Sequence, residues 1–198
     1  YGDVPYYSEP LEMDSPELYK APSSRQEVID NVIADLDLAI EYMGSGPVEG
    51  GTRLNKEIAQ LLKSRVCLYE GTWEKYHDGT VFGVADPKAD EYLEMAADAA
   101  LGLINSGQYS VYSTGDPAND YLNLFNQLDY SGHSEVMFWI KYDSDQGMEH
   151  AHQFQLVDFG GNQGASKNLV DAYLCTDGLP IATSAVYQGD STIEVVQE

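Results

Sequence analysis

The chain has 198 residues, 33 acidic against 10 basic side chains and a formal net charge of -23, with length enough for one sizeable core or two small ones. So much negative charge repels polyanions, so nucleic acid and anionic lipid headgroups are excluded as expected partners. The sequence holds no apolar run of the length that spans a bilayer, and no block of like charges marks an acidic tail.

Tyrosine dominates the aromatics, with 15 Tyr against 5 Phe and 2 Trp. A flat apolar face with a hydroxyl suits half-wet surfaces that bind sugars or proteins, and equally the outer layer of a helical core. Cys67 and Cys175 are too few for a disulfide framework and lack metal-ligand spacing; both read as buried reduced thiols.

The opening Tyr1-Gly2-Asp3-Val4-Pro5 is a turn sequence, and a piece of a longer protein is expected. Residues 1–22 carry Pro5, Pro10, Pro16 and Pro22, a density that excludes regular helix and predicts an extended segment laid over the rest. Ser24 and Glu27 match a capping box, each supplying oxygen to an orphan backbone donor. The helix that follows places Val28, Val32, Leu36, Ala39, Ile40 and Met43 inward and ends at Gly44-Ser45-Gly46-Pro47.

Asn55 is the expected cap of a second helix through about Lys75, with Ile58, Leu61, Leu62, Val66 and Tyr69 facing inward. A loop at 77–86 leads to Asp86-Pro87, an N-cap with proline at the first helical position. The third helix carries Tyr92, Leu93, Ala96, Ala100, Leu103 and Ile104 inward and closes at Ser106-Gly107. Its small residues permit close helix approach, as in a tetratricopeptide hairpin or an ordinary helical hairpin.

Past Gly107, "QYSVYS" reads as a brief strand or extended arm, "NDYLNLFNQ" as a short helix and 135–142 as a strand with Trp139 in the core. A long polar loop fills 143–166. A last helix within 168–174 is expected to stop at Asp177-Gly178-Leu179-Pro180.

Templates for catalysis fail: "GGNQGASK" lacks the ending of a phosphate loop, and no nucleophile elbow occurs. Asp143, Asp145 and Glu149 crowd three carboxylates, a weak calcium candidate because glycine falls at the wrong position for an EF-hand. His150 and His152 could share a metal on an extended chain but lack a third ligand at a diagnostic spacing. What remains is a binding surface, with Trp73, Tyr76, Tyr142, His150, His152, Asn162 and Gln163 as candidate ligand contacts. Aromatic faces stack on sugar C–H faces while amides bond hydroxyls. Trp73 has a competing role as anchor of the hairpin.

In order along the chain, "YGDVPYY", "SRQEVIDNVIADLDLAI", "RLNKEIAQLLKSRVCLYEGTWEKYH", "YLEMAADAALGLINSGQYSVY", "NLFNQ", "EVMFWIKYD" and "NLVDAYLCTDGLPI" resemble the SusD/RagB family of bacterial outer-membrane nutrient-binding lipoproteins. The resemblance spans nearly the whole chain and implies a mainly α fold of tetratricopeptide-like hairpins with a loop-rich portion and a few short strands. It divides one domain into an extended segment 1–22, a helical part 23–130 and a ligand-side part 131–198. It further implies glycan capture without cleavage, a SusC-like TonB-dependent transporter as partner, and a cell-surface location through a lipid anchor outside this chain. A protein-interaction scaffold or transporter lid is the competing reading, as is a peptide or other nutrient as ligand.

Overall fold

The computed structural model describes residues 2–151 and 164–189, which fall in two units, Tyr1–Lys141 and Tyr142–Glu198. Among the described residues the first unit is built on three long helices, α1 (Arg25–Tyr42), α2 (Lys56–His77) and α3 (Ala89–Ser106), followed by the short α4 (Asp120–Phe125). The second contains α5 (Lys167–Asp171). The class is mainly α.

Local signals set most helix ends. Ser24 Oγ accepts from the Glu27 N–H at 3.2 Å, but the Glu27 carboxylate accepts from the Ser23 hydroxyl at 2.9 Å, so only half of the expected capping box forms. Asn55 Oδ1 accepts from the Ile58 N–H at 3.0 Å and starts α2 as expected. The end of α3 falls at Gly107, left-handed at φ 64°. Its start departs from the Asp86-Pro87 reading: α3 begins at Ala89, because the Lys88 N–H donates at 2.6 Å to Glu74 of α2. A tertiary acceptor displaced the local cap.

Packing centres on α2, which lies against both α1 and α3. Ile33, Cys67, Tyr92 and Ala96 form the core, flanked by Ile29 and Met95. Gly71 makes the close approach: a Cβ there would lie 2.8 Å from the Ala89 carbonyl oxygen and 2.8 Å from Leu93 Cγ. The expected inner face of α2 is corrected. Leu61, Leu62 and Tyr69 are 37%, 50% and 60% exposed, and the buried side carries Ala59, Cys67 and Gly71 together with Glu57, Glu70 and Glu74. Ile104 of α3, also expected inside, is exposed.

The proline-rich start runs extended apart from tight turns at 12–15 and Pro16–Tyr19, and Val4 pairs with Ser23. The 135–142 strand does not form. Its alternation is genuine, but a ladder needs a neighbouring strand, and the backbone contact is the Trp139 N–H donating to the Gly51 carbonyl at 3.1 Å. Trp139 is half-buried and its indole N–H donates to the Gly50 carbonyl at 2.9 Å. The "QYSVYS" stretch is an extended arm, joined to Ser134 through the Ser110 N–H.

In the second unit α5 stops at Asp171, earlier than Asp177-Gly178 predicts. Gly178, at φ 76°, instead closes a separate turn in which the Cys175 N–H donates to the Leu179 carbonyl. Cys67 and Cys175 are both free thiols, the first buried and the second half-buried. Among the described residues no helix is long and apolar enough to cross a membrane.

Candidate functional site

The C-terminal half of α2 repeats an aromatic ring every fourth residue, which on a helix stacks neighbours one turn apart. Tyr69 and Trp73 lie nearly parallel with centroids 6.1 Å apart, and Trp73 and His77 stack at 3.9 Å. The His77 Nδ1–H donates to the Trp73 carbonyl at 2.9 Å and locks the ring in that stack. The 78–84 loop folds back over the column: Trp73 Nε1–H donates to the Phe82 carbonyl at 3.2 Å, and Phe82 meets His77 edge-on at 6.2 Å.

Arg25, the first residue of α1, reaches into this column. Its guanidinium carbon lies 4.6 Å from the Trp73 centroid and 6.0 Å from that of Tyr69, a cation over aromatic faces. Two of its nitrogens hold Glu70 at 2.6 Å each, a bidentate pair in which the carboxylate is wholly buried. That bond raises the Arg25 pKa further. Asp3 completes the arrangement by accepting the Arg25 backbone N–H on Oδ1 at 2.9 Å.

Together Asp3, Arg25, Tyr69, Trp73, Phe82 and Val84 line an open groove of about 470 Å³, inside the range of small-molecule sites. Tyr69 and Phe82 are 60% and 65% exposed and offer ring surface to a ligand. Trp73 does not: with His77 stacked on it and Arg25 lying over it, its flat faces are covered by protein. It lines the groove, but its contacts are those of a hairpin anchor.

The other α2 carboxylates are structural. Burial pushes the Glu57 carboxyl up, but the Ser45 hydroxyl and the Gly46 N–H at 2.9 Å outweigh it and hold it below the usual range. Glu74 goes the other way: burial pushes it up, against the Lys88 N–H and the Gln26 side chain, and among the described residues its Oε1 has no hydrogen-bond partner. Glu74 therefore contributes stability at pH values below the ordinary carboxylate range and loses it as pH rises through its raised pKa. Glu74→Gln keeps an acceptor for Lys88 and removes the charge. Thermal unfolding at pH 7 is expected to show a higher midpoint for this variant, with the gain vanishing near pH 4; a lower midpoint at both values would refute the assignment.

The remaining candidates fall elsewhere. Tyr76 is 79% exposed on α2 and is not part of the groove lining. Tyr142 and His150 form an edge-on pair with centroids 4.4 Å apart within the second unit. His152, Asn162 and Gln163 lie outside the described residues. Asp143 caps a tight turn, accepting from the Asp145 N–H at 3.0 Å and from Gln146 at 3.3 Å. Among the described residues no group of three or more His, Cys, Asp and Glu could hold a metal.

Arg25, Asp3 and Phe82 were not legible as site residues, because each reaches the column from a distant stretch of chain. The Tyr69-Trp73-His77 spacing was the one signal that could have marked the column in advance.

Fold and site together define a mainly α-helical protein with an aromatic-walled groove on its central hairpin. No family model, no curated protein and no solved structure matches the chain.

Proposed function

We propose that the chain belongs to a SusD/RagB-like surface lipoprotein that captures an oligosaccharide without cleaving it and passes it to a SusC-like TonB-dependent transporter. The groove beside α2 is the observation that carries this reading. Exposed Tyr69 and Phe82 supply apolar ring surface, and the neighbouring polar atoms suit hydroxyls. The order of family-like segments and the helical hairpin support it, and the net charge of -23 fits an uncharged ligand better than an anionic one.

Native gels cast with mixed-linkage glucan, arabinoxylan, galactomannan and other neutral polysaccharides test it directly. At least one polymer is expected to retard the protein with its own chain length unchanged, and Tyr69→Ala with Phe82→Ala is expected to abolish the retardation. Retardation by none, or shortening of the polymer, defeats the proposal.

One observation favours a second reading, a scaffold or lid that holds a partner protein. Leu61, Leu62 and Leu68 present an apolar stripe on the outer side of α2. Under that reading, substituting these leucines by Ser abolishes partner capture, while the Tyr69 and Phe82 substitutions leave it intact.

A further inference from the structure

The polar chemistry of the groove is one-sided. Among the described residues Arg25 is the one Lys or Arg side chain in its lining, and that guanidinium is committed to Glu70. Asp3 differs. Its Oδ1 takes the Arg25 N–H, and among the described residues no donor is placed on Oδ2. Asp3 is exposed, and its carboxylate lines the groove together with Tyr69 and Phe82.

An acceptor of this kind is satisfied by hydroxyl protons and opposed by a carboxylate. We infer that Asp3 sets the ligand preference of the groove, bonding hydroxyls at the edge of a neutral sugar ring packed on Tyr69 and Phe82 and turning away uronate-bearing glycans. The inference rests on the glycan-capture reading above. The geometry also fixes why Asp3 stands where it does: by holding the first N–H of α1 it is oriented by the same helix that delivers Arg25 to Trp73. That bond orders the carboxylate at the groove it lines.

Asp3→Asn separates this role from folding, because the amide oxygen still accepts the Arg25 N–H. The full chain and the variant are compared by gel retardation and then by calorimetric titration with oligosaccharides of the neutral polymer that retards the wild type, with polygalacturonate as the anionic probe. Wild type is expected to bind the neutral probe and not polygalacturonate. Loss of the charge-assisted bond is expected to weaken neutral binding about tenfold, while removal of the repulsion lets the variant bind polygalacturonate more than wild type does. Equal binding of both probes by wild type, or neutral binding unchanged in Asp3→Asn while Tyr69→Ala loses it, overturns the role of Asp3 and leaves the groove standing. If no neutral polymer is retained by wild type, the capture reading falls together with this one.

Discussion

Arg25→Met is expected to lower the stability of the 1–141 unit by about 3–5 kcal/mol, the usual cost of stranding a buried charge. Glu70 is 0% exposed in its side chain and both of its oxygens are held by the guanidinium at 2.6 Å. With the partner gone, the carboxylate loses both charge-assisted bonds. Part of the loss also comes from packing, since the guanidinium lies over Trp73. Combining Arg25→Met with Glu70→Leu removes both charges and is expected to recover most of the lost stability. Urea unfolding of the two single variants and the double variant closes the cycle. A double variant that loses the sum of the single losses would show that the two residues act independently and that the pair does not hold α1 to α2.

Gly71→Ala is the second large effect, and its sign is what makes it informative. In an isolated helix alanine is favoured over glycine by about 0.5–1 kcal/mol. Here the new methyl group meets the Ala89 carbonyl oxygen and Leu93 Cγ, each at 2.8 Å, and at least one of these is backbone that cannot swing away. Overpacking of this kind costs about 1–3 kcal/mol, so the variant is expected to be less stable than wild type. Gly102→Ala in α3 is the matched control, because its methyl group meets the end of a flexible side chain, Gln60 Nε2 at 3.0 Å. The two variants should shift the thermal midpoint in different amounts, with Gly71→Ala clearly the worse. Equal midpoints would mean that α2 and α3 do not approach each other at Gly71.

The same contrast explains how the candidate site escaped sequence reasoning in part. Trp73 was a candidate contact with a competing role as hairpin anchor, and it stands near the end of α2 against the 78–84 loop. Its loss as a stacking face depends on Arg25, 48 positions earlier in the chain, whose guanidinium reaches Trp73 only after α1 has docked on α2. Tyr69 was assigned to the core because apolar periodicity was taken to define the inner face. The rule fails on α2, where Glu57, Glu70 and Glu74 occupy buried positions and leucines face outward.

By itself the sequence determined what depends on a few adjacent residues. Ser24 and Asn55 start α1 and α2, Gly107 ends α3, and the prolines keep the first 22 residues out of regular helix, because caps and backbone restrictions act within one turn of chain. The tertiary structure alone decided which side of α2 is buried, since a carboxylate can enter the interior only when a partner arrives from elsewhere: Arg25 for Glu70, Ser45 and Gly46 for Glu57, the Lys88 N–H for Glu74. It decided equally that 135–142 is no strand, because a ladder is made by two stretches of chain and alternation in one of them cannot supply the other.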